Sequence, residues 1–517
     1  MKKRTISCWG SVLVLLAVCP ALAGDAGSLE FEVTFDEALR STPFSGRVYV
    51  LLNDKPATPL LGKLLHRPPS DWSWTSRQPI FSLDVANWKP GRPLLIRNPK
   101  GYPYDLKDLP SKQYRLRAVM HTDPGLAHST GAPGNLYGDW IQRDLDPATS
   151  GVVKLHIDQR IKSKERKPPI ERVVELRLRS DRLSSFHGRD VFMRAMVRLP
   201  EAFEAQPDRR FGAIYVIPGF GGDHVQSLMM ATMLGKSDVP FVTVGLDATC
   251  PLGHHVFADS DNNGPWGRAL IEELIPHLED KFRLIPDARG RFLYGHSSGG
   301  WSGLWLQVCY PTVFGGVWAG SPDPVDFHDS CGVNLYDPKA NFYVDGDGQP
   351  RPLIRRNGSV QLSMKDFALL EDVIGPGGQL HSLEAVFGSR GPAGTPRLLY
   401  DRQTGEIDPH EVDAWRRYDI VAKIEREWDA LGPKLAGKIT VIMGEDDTFY
   451  LEGATKRLKS TLARLGSDAR VFIVPGKDHG SIIMTKPYRS IIKEMGERFI
   501  ALEKAVPSTS REAAPAR

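Results

Sequence analysis

The sequence predicts an α/β fold with a mostly parallel sheet, preceded by a small all-β, sandwich-like domain. Three observations predict it. From about residue 173 onward, short apolar runs rich in β-branched residues are interspersed with segments of helical spacing. Several of these runs end in Gly followed by polar residues, as strands do at the ligand-binding edge of an open α/β sheet. Before residue 160, runs of period-two alternation are separated by Pro- and Gly-rich stretches, which is typical of antiparallel strands.

The N-terminus has the pattern of a cleavable secretory signal over residues 1–23. Basic residues at 2–4 precede an apolar run at 12–18 and an Ala-Leu-Ala cleavage site. The apolar run is too short to span a membrane. A lipoprotein signal would use Cys19, but Val18 stands where that signal needs a small residue. We therefore expect a periplasmic or secreted protein that is not a lipoprotein.

The charge balance argues against polyanionic partners. Removal of the signal takes three of the 66 basic residues and none of the 62 acidic ones, so the mature chain is close to neutral. Neither nucleic acid nor an acidic membrane surface is favoured as a partner, and no other stretch is long enough to cross a membrane. The oligomeric state stays open.

The all-β domain is expected over residues 25–160, followed by a linker at 161–172. Its strand signals lie at 29–35, 47–52, 113–119 and 152–157. Tryptophans in such a domain could form a sugar-stacking platform or, more commonly, pack in its core. The four concerned are Trp72, Trp74, Trp88 and Trp140.

The segment Gly295-His296-Ser297-Ser298-Gly299 is the most informative one for chemistry. The apolar run 291–294 before it predicts a buried strand, and residues 300–309 have helical spacing. Strand, Gly-x-Ser-x-Gly and helix is the layout of a nucleophile elbow, in which a tight turn exposes the serine hydroxyl at the top of a sheet. Ser297 is therefore the candidate nucleophile.

A serine hydroxyl needs a base to take its proton, and that base needs an orienting acid. The predicted strand at 438–444 is followed by Asp447, and the one at 469–475 is followed by His479. Both residues thus stand at C-terminal strand ends, in the order serine, acid, histidine. Asp446 and Asp478 are rival acids, the latter a weaker one because it adjoins the histidine in the chain.

An oxyanion hole needs backbone N–H groups aimed at the charge that develops on the carbonyl oxygen. The predicted strand at 212–217 opens into a Gly-rich loop at 218–224, which favours Phe220 or Gly221 as one donor. The residue after the nucleophile, Ser298, normally supplies the other.

From about residue 173 to 500 the chain resembles the esterase D-like, or putative esterase, family of α/β-hydrolases, whose members include enterochelin esterases, feruloyl esterases and mycolyltransferases. The resemblance is carried by the helix-like stretch 267–283, by the elbow at 295–300, and by 310–317 with Ser321. Ser298 departs from the methionine that is common there. The resemblance implies a hydrolase domain at 173–503 in which Ser297 is the nucleophile, Asp447 the acid and His479 the base.

An insertion of over a hundred residues separates two predicted strands of this domain. It covers about residues 325–435 and contains helix-like segments at 363–373 and 408–431. At this point of an α/β-hydrolase such an insertion usually forms a cap, so we expect it to shape the substrate pocket. The tail at 504–517 is small and polar, which predicts disorder.

Two of the five cysteines leave with the signal, and the remaining three allow at most one internal disulfide. Cys309 falls in a predicted helix and suits a small buried residue. Cys250 and Cys331 each follow a predicted strand, so a bridge between them near the site is conceivable, and the sequence leaves it open.

No metal or cofactor is predicted. The string at 259–264 opens like a calcium loop, but Leu270 stands where a bidentate Glu belongs. The string at 345–348 is a still shorter match, and His254-His255 lacks a third ligand at zinc spacing. We read all three as turns or ordinary structure.

Together these features predict a serine hydrolase acting on a small-molecule or conjugate ester, with activity falling below pH ~6.5 as the histidine base protonates. An acyltransferase would use the same residues with an alcohol in place of water. A prolyl-oligopeptidase-type peptidase would need a longer front domain. A catalytically silent carbohydrate- or ligand-binding protein is the alternative from another class.

Overall fold

The computed structural model describes residues 27–55, 77–123, 125–162 and 170–505. The expected secretory signal, Cys19, Trp72, Trp74 and the tail from residue 506 lie outside the described residues. The expected boundaries of the domains and of the linker therefore stay predictions.

The described residues of the N-terminal region form ten strands. They are β1 (Glu30–Phe35), β2 (Phe44–Asn53), β3 (Ile80–Trp88), β4 (Leu94–Ile96), β5 (Lys100–Tyr102), β6 (Lys112–Met120), β7 (Leu136–Tyr137), β8 (Ile141–Leu145), β9 (Val152–Ile157) and β10 (Gln159–Arg160). One sheet has the order β4-β1-β9, and the other has the order β10-β7-β6-β2-β3-β5, with β8 also paired to β6. All pairs are antiparallel except β1 with β9, which run parallel because the other strands form the long connection between them.

The larger sheet is buried on both faces along β2. Val48, Val50 and Leu52 join the core enclosed with the smaller sheet. The alternate residues Tyr49 and Leu51 point the other way and pack against a helix of the predicted insertion. Of the four tryptophans considered for a sugar platform, two are described: Trp88 lies in the core, 7% exposed, and Trp140 is half-buried with the Arg117 guanidinium over its ring. This packing favours the structural role of Trp88 over a sugar platform.

The rest of the chain is a layered α/β unit. Its strands are β11 (Val173–Arg179), β12 (Phe192–Arg198), β13 (Ala213–Ile217), β14 (Val242–Leu246), β15 (Thr249–Cys250), β16 (Gly253–His254), β17 (Asp259–Ser260), β18 (Gly264–Pro265), β19 (Arg291–His296), β20 (Gly316–Gly320), β21 (Pro352–Arg356), β22 (Ser359–Ser363), β23 (Ile439–Gly444) and β24 (Arg470–Val474). Its helices are α1 (Asp181–His187), α2 (Ala202–Ala205), α3 (His224–Ala231), α4 (Trp266–Ala269), α5 (Ile275–Lys281), α6 (Ser298–Cys309), α7 (Met364–Ile374), α8 (Gln379–Phe387), α9 (Pro409–Arg416), α10 (Ile420–Leu435), α11 (Glu452–Arg464), α12 (Lys486–Arg489) and α13 (Ile491–Lys504).

Eight strands form the main sheet, in the order β11-β12-β14-β13-β19-β20-β23-β24. From β14 to β24 every pair is parallel, and β11 and β12 add an antiparallel edge. The central strands are buried apart from the two end residues of β19, as parallel strands covered by helices on both faces must be. Because parallel strands share one carboxyl edge, the loops after β13, β19, β20, β23 and β24 meet there.

The segment between β20 and β23 contains α7 to α10 and the β21–β22 hairpin. The helix expected at 363–373 is present as α7. The single helix expected at 408–431 is two helices in the structure, α9 and α10. The Asp419 carboxylate accepts the Ala422 N–H and so caps the N-terminus of α10, where a new helix begins.

The three described cysteines are free, so the conceivable bridge between Cys250 and Cys331 is absent. Cys250 is buried in the β15–β16 hairpin with its thiol directed at Asn263, whereas Cys331 lies beside the cavity described below. Cys309 ends α6 and is partly buried, and burial raises the pKa of its thiol to about 12.

The calcium-like string at 259–264 is a β17–β18 hairpin. Within the described part of the chain, none of the helices combines the length and the apolar character needed to cross a membrane.

Candidate active site

Ser297 stands on a strained turn between β19 and α6. Its backbone has φ 60° and ψ −127°, a conformation that L-residues rarely adopt. A Cβ on Gly295 would lie 2.0 Å from the Gly299 carbonyl oxygen, and one on Gly299 would lie 2.2 Å from that of Ile217. Glycine is therefore required on both sides of the serine, as the elbow pattern predicts. The turn directs Ser297 into the cavity at the N-terminus of α6.

The Asp447 carboxylate and the His479 imidazole form a hydrogen-bonded pair at the ends of β23 and β24. His479 Nδ1 lies 2.8 Å from Asp447 Oδ2, and the Asp447 side chain is fully buried. Burial of the imidazole opposes its protonation, but the Asp447 carboxylate outweighs that effect and raises the pKa of His479. An ionised carboxylate at Nδ1 holds the proton there and leaves Nε2 as the acceptor.

The two rival acids lie elsewhere. Asp446 is exposed, and the Asp478 carboxylate is occupied by the N–H groups of Gly480 and Ser481 in its own loop. The structure thus pairs His479 with Asp447.

The loop after β13 closes over the nucleophile. A Cβ on Gly219 would lie 3.3 Å from that of Ser297, so this loop passes directly beside the serine. His254 Nδ1 accepts the Val256 N–H, which leaves Nε2–H to donate to the Pro218 carbonyl at 2.9 Å. Burial lowers the pKa of His254 to about 4, so this imidazole stays neutral and keeps its donor. Phe220 and Gly221 both line the cavity, and Ser298 begins α6.

A cavity of about 510 Å³ opens in front of Ser297 and His479. Its walls come from the loop after β13, from the loop after β23 and from the insertion. The apolar side chains that line it include Met230, Leu353, Phe367, Leu380, Leu383 and Leu451. The insertion therefore forms part of the cavity wall, as expected for a cap.

Two further polar residues at the site were not anticipated from the sequence. Asp323, in the loop after β20, accepts the Ser297 hydroxyl at 3.3 Å and the Ser298 hydroxyl at 2.6 Å. Gln379, at the start of α8, donates to Asp323 Oδ2 at 3.1 Å. Asp323 carries the same signal as Asp447 and His479, a polar residue just after a strand end. Gln379 has no such signal, because it reaches the site only through the tertiary position of the insertion.

The fold and this carboxyl-edge site define an α/β-hydrolase. The chain belongs to the family described as "Putative esterase", whose model matches residues 190–467, more than half of its length. Membership supports hydrolysis of esters in general. No curated protein sequence matches the chain.

Solved structures similar to this chain are esterases. An S-formylglutathione hydrolase from Agrobacterium tumefaciens is 14% identical, with a TM-score of 0.38, and the alignment covers 63% of this chain and 95% of that one. An S-formylglutathione hydrolase from Staphylococcus aureus is 12% identical (TM-score 0.39, 63% and 98% covered). A CE1 ferulic acid esterase from Anaeromyces mucronatus is 14% identical (TM-score 0.32, 64% and 94% covered).

Proposed function

We propose that this protein is a serine esterase that cleaves a carboxylic ester through an acyl-enzyme intermediate. The observation that carries the proposal is the His479–Asp447 pair, which opens onto the same cavity as the strained Ser297. Because residues 1–23 have the pattern of a secretory signal, we propose further that the protein acts in the periplasm or outside the cell.

In the proposed reaction His479 Nε2 takes the Ser297 proton as Oγ attacks the ester carbonyl. Asp447 fixes the tautomer of His479 and stabilises the imidazolium. Backbone N–H groups of Ser298 and of Phe220 or Gly221 stabilise the oxyanion. The imidazolium then protonates the leaving alcohol, and a water activated by His479 releases the acid and frees Ser297.

The Ser297 hydroxyl is directed at Asp323, whose Oδ1 lies 3.3 Å away. The proposed reaction therefore requires this hydroxyl to turn to His479 when substrate binds, a rotation about one side-chain bond. Catalytic hydrogen bonds often tighten only in the substrate complex.

A fluorophosphonate probe tests the proposal, because it labels only serines that a base has activated. We expect stoichiometric labelling of the wild type and none in Ser297→Ala or His479→Ala. Ser302→Ala is a matched control, since Ser302 lies one turn along α6 and its hydroxyl is bound to the Ser298 carbonyl. His277→Ala, at an exposed position on α5, is the corresponding histidine control.

Labelling that persists in Ser297→Ala, or a folded wild type that is never labelled, contradicts the proposal. The second result, together with a ligand bound without turnover of any ester, favours a silent binding protein. Product analysis with and without an added alcohol separates hydrolysis from acyl transfer.

A further inference from the structure

Asp323 places a carboxylate in the wall of a mostly apolar cavity. Asp323 is only 5% exposed, yet it lines the cavity and its carboxylate approaches the Ser297 hydroxyl. The proposed mechanism does not use the Asp323 carboxylate, because Asp447 is the acid that orients His479. A buried carboxylate in a cleft with no structural partner of opposite charge is a common mark of a binding site.

The hydrogen-bond partners of Asp323 are neutral. Oδ2 accepts the Ser298 hydroxyl and the Gln379 amide, and Oδ1 accepts only the long contact from Ser297, so Oδ1 keeps acceptor capacity toward the cavity. Among the residues that the structure describes, no lysine or arginine forms an ion pair with Asp323. Burial of the carboxyl raises its pKa, because removal from water disfavours the charged form.

Two other carboxylates in this region, the buried Asp326 and the half-buried Glu452, have arginine partners, whereas the buried Asp419 accepts from the Tyr336 hydroxyl and from backbone N–H groups. Arg457 binds Asp326 at 2.7 Å, and Arg355 binds Glu452 at the same distance. Asp326 and Glu452 thus have cations of their own, whereas none of the described lysines and arginines forms an ion pair with Asp323. The charge that would balance Asp323 has to come from His479 or from a ligand.

The position of Oδ1 limits which ligand group can supply that charge. Oδ1 lies 3.3 Å from Ser297 Oγ, the atom that would bond to the carbonyl carbon. A group bound to Oδ1 is therefore within a few bonds of that carbon. The remaining walls are mostly apolar, so the rest of the substrate has to be apolar as well.

Building on the proposed esterase function, we propose that Asp323 is a specificity-determining residue that binds a protonated amine of the substrate next to the scissile ester. The substrate class is an ammonium-bearing ester with an apolar remainder. The ammonium group could lie on the acyl side or on the alcohol side of the ester. The chemistry recognised is the same in both cases.

Three esters that share one acyl skeleton test this assignment: leucine ethyl ester, the neutral isostere ethyl 4-methylpentanoate, and 2-(dimethylamino)ethyl 4-methylpentanoate. We expect the wild type to prefer one ammonium ester over the isostere by roughly 10- to 100-fold in kcat/KM, the range for a hydrogen bond to a charged group. Which of the two is preferred identifies the side that carries the amine. Asp323→Asn should abolish most of this preference, whereas Asp329→Asn, at a partly buried acid outside the cavity, should retain it.

The outcomes separate this inference from the proposed function. A wild type that labels at Ser297 and hydrolyses the isostere, but prefers neither ammonium ester by more than about threefold, overturns the inference alone. Equal losses on all three esters in Asp323→Asn also overturn it and assign Asp323 to positioning His479 or Ser297. If Asp323→Asn does not fold, the wild-type preference decides. Absence of labelling and of turnover overturns the proposed function itself.

Discussion

At the scale of single residues, the charges around His479 set the pH at which the site can work. Asp447 faces its Nδ1, and Asp323 and Asp478 add weaker attraction for the imidazolium. The His296 ring lies 4.7 Å away and stays neutral, because burial lowers its pKa well below the usual value. Acidic neighbours therefore surround the base, and they favour its protonated form.

This arrangement predicts the position of the acid limb of the pH–rate profile. A general base works when neutral, and a raised pKa keeps it protonated to higher pH. The half-point of kcat/KM should therefore lie above about 6.5, the ordinary histidine pKa. Asp447→Asn should move the limb to lower pH and reduce the plateau by roughly 10³- to 10⁴-fold, because the tautomer is no longer fixed.

Asp478→Asn is the control for this prediction. The substitution removes a weaker neighbouring charge but no hydrogen bond to His479. The acid limb of the kcat/KM profile should therefore shift slightly, and the plateau value should stay unchanged. A limb at or below pH 6 in the wild type, measured with a neutral ester, would contradict the assignment of His479 as the base.

At the scale of elements, the turn between α7 and α8 links the N-terminal sheets to the cavity. Arg47 donates to the carbonyls of Asp372 and Val373, and Tyr49 donates to that of Ile374 at 2.6 Å. These carbonyls end α7, where unpaired acceptors accumulate. Within five residues the chain reaches Gln379 at the start of α8, beside Asp323. The N-terminal sheet thus fixes the segment that carries one wall of the cavity.

Tyr49→Phe tests this link, because it removes one hydrogen bond at the turn and leaves the ring in place. We expect KM to rise about fivefold, the equivalent of one hydrogen bond of about 1 kcal/mol, with kcat and fluorophosphonate labelling changed less. Tyr114→Phe is the matched control, since Tyr114 is buried in the same sheet but bonds Pro110 within the N-terminal region. Equal changes in KM for both variants would mean a general loss of stability instead.

At the scale of the whole molecule, local sequence patterns predicted the strands of the main sheet and the elbow, whereas the position of Gln379 depends on tertiary packing. The strand Gly316–Gly320 and the elbow at Ser297 follow from short-range rules, namely apolar runs and the glycines that a tight turn needs. The pairing of His479 with Asp447 followed from strand order. Gln379 could not be predicted, because its place depends on how α7 packs on β2, a strand more than 300 residues earlier in the chain.

That packing predicts that the two regions unfold together. Leu370 and Val373 of α7 are buried against Tyr49 and Leu51, and each side chain contributes about 1.5–3 kcal/mol when shielded from water. We expect residues 27–505 to unfold in a single thermal transition, as measured by calorimetry. A fragment of residues 170–505 should melt lower, bind a hydrophobic dye and lose most of its labelling at Ser297. If that fragment instead melts as the full chain does and labels fully, the N-terminal sheets do not support the site, and the three hydrogen bonds at the α7–α8 turn are incidental.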